Sequence, residues 1–218
     1  MAPSIRGLAA LLRGAGKPQP RGVRLAYVIP VSDEARNYMR RVEVEVLGRY
    51  GPDPALDEDA HITLKQGFIA PALEPFVRHL DEVAAEVEPF EVVMSGIGAF
   101  ERGILFVDVR PDPPLEALRQ RVVRDLSARF GVEPYALEGA GYRFHATLAY
   151  GLSDADAARA RRTLEAEPVE FRFPLTLGLL YHTGARWIMY RTVSVGRAAA
   201  RSRLQAGSAS GTLPEAGR

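Results

Sequence analysis

The chain contains no cysteine. Disulfides, zinc–thiolate centres and a cysteine nucleophile are therefore excluded, and a reducing, cytoplasmic setting is the expectation. No apolar run approaches the roughly 20 residues that a membrane helix needs. The longest apolar stretch near the start, Leu8-Ala9-Ala10-Leu11-Leu12, is shorter than the core of a signal peptide. The glycine-rich phosphate loop of doubly wound folds is missing as well. Acid is scarce at both ends. Residues 1–32 carry five basic groups and no acid, and 171–214 carry six arginines and no acid, whereas 33–170 hold 16 basic against 26 acidic groups. The net charge of +1 thus hides basic ends around an acidic middle. Such ends either attract a polyanion or are merely solvated tails, and composition leaves both open.

What is present is 218 residues, 47% of them hydrophobic, enough for one substantial core or for two lobes sharing one. Residues 1–22 and 197–218 are rich in Ala, Gly, Ser, Pro and Arg and lack a hydrophobic period. They read as disordered tails around a folded domain over 23–196. Within it, 23–31 reads as a strand closed by a Ser32/Asp33 cap. A helix over 34–49 is carried by Tyr38, Val42 and Val46. A strand over 61–69, a helix over 73–87 and a strand over 90–97 complete the first half. The second half repeats the pattern with a strand over 104–109, a helix over 113–130, a strand over 144–150, a Ser153-capped helix over 153–165 and a strand over 169–181. A last strand covers 187–195, after a hairpin loop at 182–185.

The order strand, helix, strand, helix, strand therefore occurs twice, at an offset of about 80 residues. Duplication without the phosphate loop favours an α+β fold of two related lobes, formed by halves at about 23–99 and 104–196, over a parallel doubly wound sheet.

The repeat carries a paired motif. His61-Ile62-Thr63-Leu64-Lys65-Gln66-Gly67 aligns with His145-Ala146-Thr147-Leu148-Ala149-Tyr150-Gly151, sharing His, Thr, Leu and Gly at positions 1, 3, 4 and 7. In a strand alternate side chains share a face, so His61 and Thr63 should point one way while Ile62 and Leu64 point into the core. His145 and Thr147 should do the same. Two histidines can divide the roles of general base and general acid near neutral pH. Two threonine hydroxyls can donate hydrogen bonds to phosphoryl oxygens. Cleavage of a cyclic phosphodiester needs these parts: an activated water, a protonated leaving oxygen and donors for the charged phosphate. Two histidines alone are a poor site for a hard cation, so neither a metal nor another cofactor is expected.

These strings, with the opening strand Val23-Arg24-Leu25-Ala26-Tyr27-Val28-Ile29-Pro30 and the stretch Ile97-Gly98-Ala99-Phe100, resemble the 2H phosphoesterase superfamily over about 23–196. The nearest branch is the 2′-5′ RNA ligase or RNA 2′,3′-cyclic phosphodiesterase group. The resemblance implies a bilobal α+β fold with mainly antiparallel sheets, outer helices and a central cleft holding both motifs. It implies a monomeric cyclic phosphodiesterase acting on an RNA end or cyclic nucleotide and leaving a 2′-phosphate. Ligation, the reverse direction, and a nucleotide- or RNA-binding module without turnover are the alternatives. Relatives acting on RNA often carry Arg five positions after the second motif histidine; here that position is Tyr150. Lys65 is the candidate for the missing charge, unless it is an ordinary solvated strand end. Phe68 and Tyr150 are candidates for stacking on a base, unless they are strand-end core residues. His79 falls on the polar face of its helix and reads as solvated, and His182 falls in the hairpin. Asp53, Asp57, Glu58 and Asp59 precede His61 and read as an acidic loop rather than a cation site.

Overall fold

The structure, a computed structural model, describes residues 22–196 except 140 and 167. The two expected tails lie outside the described residues, save residue 22. The chain runs β1 (Val23–Pro30), α1 (Asp33–Tyr50), a 3-10 turn (Pro54–Asp57), β2 (His61–Ala70), α2 (Glu74–Glu86), β3 (Glu91–Phe100) and β4 (Ile104–Val109). It continues with α3 (Pro113–Phe130), a second 3-10 turn (Ala136–Glu138), β5 (His145–Ala149), α4 (Asp154–Glu165), β6 (Glu170–Pro174), β7 (Thr176–His182) and β8 (Trp187–Ser194). Local chemistry sets the helix starts. Ser32, Asp112 and Ser153 each accept a backbone N–H in the first turn of the helix that follows. Gly131 ends α3 in the left-handed conformation that glycine adopts without strain.

Two antiparallel sheets form, in the orders β2-β1-β7-β8 and β5-β4-β3-β6. Each motif strand is thus an edge strand, β2 in the first sheet and β5 in the second, and these two edges lie against each other. One core runs through both lobes, from Leu25, Tyr27 and Ile29 on β1 to Leu105 and Val107 on β4. α1 packs on β5 and α3 on β2, so each helix braces the motif strand of the opposite sheet. α2 covers β7 and β8, and α4 covers β3 and β4. The result is the bilobal α+β fold expected.

Two expectations need correction. The lobes are not the contiguous halves 23–99 and 104–196. The second sheet is built from residues 91–174, and the first takes its strands from 23–70 and 176–194. The strand expected over 169–181 is two strands, in different sheets. Pro174 has no N–H to continue a ladder, and the chain changes sheets at Leu175. Among the described residues no helix is long and apolar enough to cross a membrane.

Candidate active site

Alternation delivers the first three residues of each motif as expected. Ile62 and Ala146 are fully buried, while His61, Thr63, His145 and Thr147 are half-buried on the other face. At the fourth residue both strands bulge. Thr63 pairs with Val28 and Lys65 with Tyr27, leaving Leu64 as the extra residue; Thr147 pairs with Phe106 and Ala149 with Leu105, leaving Leu148 as the extra residue. A bulge resets the alternation, so the fourth and fifth residues both turn inward. Leu64 and Lys65 are 1% exposed, and Leu148 and Ala149 are 0% exposed.

Lys65 is therefore not brought to the cleft. Its ammonium lies 2.9 Å from Glu138 Oε2 in a buried ion pair. Glu138 also accepts the N–H of Gln66 at 2.6 Å and of Tyr135 at 2.7 Å. Phe68 is likewise a core residue, stacked on Tyr27 and tilted against Phe76. Tyr150 does reach the site. Its hydroxyl donates to Glu58 Oε2 at 3.3 Å and lies within hydrogen-bonding reach of the Thr147 hydroxyl. Burial holds it protonated, well above the ordinary phenol range.

A carboxylate clamps each motif strand from a 3-10 turn. Asp53 Oδ2 accepts the N–H of Tyr150 at 2.9 Å, and Glu138 Oε1 accepts that of Gln66, in each case the fifth residue after the motif histidine. Sequence reasoning places Asp53 in an acidic loop and misses Glu138. The available signal is the recurrence of an acid seven or eight residues before each motif histidine. Tyr142 adds a second tie, its hydroxyl donating to the Thr63 carbonyl at 2.7 Å, while the Arg119 guanidinium lies 3.8 Å from its ring centre.

The histidines are oriented alike. His61 Nδ1 lies 2.7 Å from the Asp59 carbonyl oxygen, and His145 Nδ1 lies 2.8 Å from that of Arg143. A carbonyl only accepts, so both Nδ1 atoms carry hydrogen and both Nε2 atoms are left for other chemistry. His145 is further held between rings, with centroids 4.9 Å to Phe100 and 5.3 Å to Phe106. Gly98 makes that packing possible: a Cβ there would sit 2.3 Å from the Phe106 ring. Burial lowers the pKa of both imidazoles, and the charge of His61 lowers that of His145 further, so the two rings are electrostatic neighbours. His61 and Thr147, from opposite lobes, line one small open pocket with Tyr150, Glu43, Glu58 and Asp59.

The other candidates lie elsewhere. His79 is not solvated; it is 0% exposed, 3.0 Å from the Tyr27 hydroxyl and edge-on to Phe130. His182 sits at the hairpin, edge-on to Trp187. No group of three or more His, Asp or Glu among the described residues could hold a metal ion.

The model of the 2′-5′ RNA ligase superfamily matches residues 31–185. Escherichia coli LigT complexed with 3′-AMP superposes with a TM-score of 0.54 at 17% identity, over 80% of this chain and 98% of that one. TT0787 of Thermus thermophilus gives the same four figures, 0.54, 17%, 80% and 98%. LigT complexed with NADP+ gives 0.51 at 17% identity, over 81% of this chain and 99% of that one. At these identities the likeness to the solved structures is one of fold. No curated protein matches the chain in sequence.

Proposed function

The chain belongs to the 2′-5′ RNA ligase superfamily, and from that premise we propose that it is a metal-independent cyclic phosphodiesterase, opening the 2′,3′-cyclic phosphate of an RNA end or small nucleotide to a 2′-phosphate. The observation that carries the reading is the matched orientation of the histidines, each with Nδ1–H on a carbonyl and Nε2 left over. One neutral Nε2 takes a proton from water as the water attacks phosphorus. The other Nε2, protonated, gives its proton to the departing ribose 3′-oxygen. Thr63 and Thr147 supply hydroxyl donors to the phosphate oxygens, where charge develops. Repulsion between neighbouring imidazoles disfavours the doubly protonated pair, which suits a site that works with one proton shared between two bases. The 3′-AMP and NADP+ complexes of LigT, which has the same fold, agree with a nucleotide ligand.

The test is turnover of 2′,3′-cyclic nucleotides with strong chelator present, the product identified by phosphorus NMR. Wild-type protein should turn over and give the 2′-phosphate. His61→Ala and His145→Ala should each lose at least about a hundredfold, the lower end for a general acid or base. Thr63→Val and Thr147→Val should lose less, about 1.5–3 kcal/mol per charge-assisted hydrogen bond. Binding without turnover by the wild type would instead make the chain a nucleotide-binding module. Near-normal turnover by either folded histidine variant would remove the two-histidine mechanism. Ligation would use the same groups with a 5′-hydroxyl in place of water, and the family's description gives that direction its support.

A further inference from the structure

The two motif histidines have the same ring orientation but unequal neighbours. Two residues before His145 stands Arg143, whose guanidinium is tied to Asp108 through both Nε and Nη2 and lies over Phe106 at 4.9 Å. Its charge is thereby matched by a carboxylate on β4. Two residues before His61 stands Asp59. Its carbonyl accepts His61 Nδ1–H, and its carboxylate accepts the backbone N–H of Met189 on β8 at 3.2 Å. β8 is the far edge of the first sheet, three strands from β2 in hydrogen-bonding order. The sheet therefore curls until its last strand reaches the residues that lead into its first, and Asp59 makes that closure. Asp59 lines the same pocket as His61, and among the described residues no ion pair joins its carboxylate to a cation.

Resting on the two-histidine reading above, we propose that Asp59 is a positioning residue: by bonding β8 with its carboxylate and His61 with its carbonyl, it fixes His61 as the proton donor of the pair and leaves His145 as the base. Two separate atoms of one residue do this. The carbonyl sets the ring orientation, and the carboxylate both anchors the loop and places uncompensated negative charge beside the imidazolium. Other ionisable groups face His61: Glu43 from α1, Glu58 from the preceding loop, and His145 and Tyr150 from the β5 side. Glu43 has Arg40 at 2.9 Å and Glu58 has the Tyr150 hydroxyl, whereas the bond that Asp59 makes is to a neutral amide. The charge of Asp59 raises the pKa of His61 against the lowering by burial. At His145 burial and the charge of His61 lower the pKa, while Asp108 on β4 raises it and the Arg143 paired with that carboxylate opposes it, so the carboxylate near His145 is compensated and the one near His61 is not.

Asp59→Asn separates anchor from charge, since the amide oxygen can still accept the Met189 N–H. The high-pH limb of kcat/KM should move to lower pH by about half a unit, the size expected for an exposed charge. The acid limb, set by His145 as the base, should hold its position. NMR of the imidazole nitrogens should show His61 still in the Nδ1–H form, with its titration midpoint lowered, and His145 less affected. Asp59→Glu, which keeps the charge, should restore the limb. A profile and a His61 midpoint that superimpose on wild type in Asp59→Asn would overturn the proposal, as would a shift borne by His145 rather than His61. His61→Ala measured in parallel separates the two levels. If it keeps turnover, the two-histidine reading fails; if it is inactive while Asp59→Asn is unchanged, only the role of Asp59 fails.

Discussion

Each motif histidine commits one ring nitrogen to a carbonyl two residues back, and that choice at the scale of single atoms decides which nitrogen meets the cleft. The same scale holds a histidine with no part in the site. His79 is enclosed by Tyr27 and Phe130, with Asp125 at 3.8 Å. Burial, helped by the Arg129 charge, holds its pKa below the ordinary imidazole value. A base whose folded pKa is depressed favours folding above its unfolded pKa and opposes it below. The stability linked to His79 is therefore present above about pH 6.5 and is lost as pH falls from there, by at most about 1.4 kcal/mol per unit. Urea midpoints at pH 7.5 and 5.0 check this: wild type should weaken on acidification by more than His79→Gln does. Equal slopes would mean that the site tolerates the imidazolium. A polar residue on a helix reads as solvated in sequence; here Tyr27, 52 residues away, supplies the buried partner that makes it a core residue.

At the scale of elements, the motif strand is a strand with a bulge at its fourth position, and much follows from that one extra residue. The paired His-x-Thr-Leu strings and their strands were legible in the sequence because period-2 alternation fixes the first three residues. The inward turn of Lys65 was not, because a bulge shifts the face of everything after it. A clue did exist. In the second copy Leu148 and Ala149 are adjacent and both apolar, which a plain alternating strand with one wet face would not favour. Lys65, one of two lysines in the chain, thus fills a core position and depends on Glu138. Removing one partner of a buried ion pair strands the other, at a cost of about 3–5 kcal/mol. Lys65→Ala should lower the urea midpoint accordingly, while saturating substrate should still find the histidines in place in whatever fraction is folded. A loss of turnover per folded molecule with unchanged stability would show instead that the ammonium reaches the substrate.

At the scale of the whole molecule, the second sheet is nested in sequence inside the first. A cut in the β3–β4 turn, between residues 101 and 102, would give two fragments that each lack strands for both sheets. Neither fragment alone should show a cooperative unfolding transition, and mixing them should restore one. Independent folding of either would mean that the shared core is less unified than its packing indicates. The duplicated order of elements was legible in the sequence, but the exchange of strands was not. Periodicity says that a segment is a strand and not which strand it will pair with. Nesting also imposes a timetable on a chain made from its N-terminus. β1 is synthesised first and is flanked in the finished sheet by β2 and β7, yet β7 begins only at Thr176. Throughout the making of the second lobe, one edge of β1 waits unpaired, with Leu25, Tyr27 and Ile29 seeking cover. Closure across about 150 residues makes that pairing a late step, so the growing chain carries an open strand edge through most of its synthesis, and Asp59 gains its β8 partner Met189 only at the end.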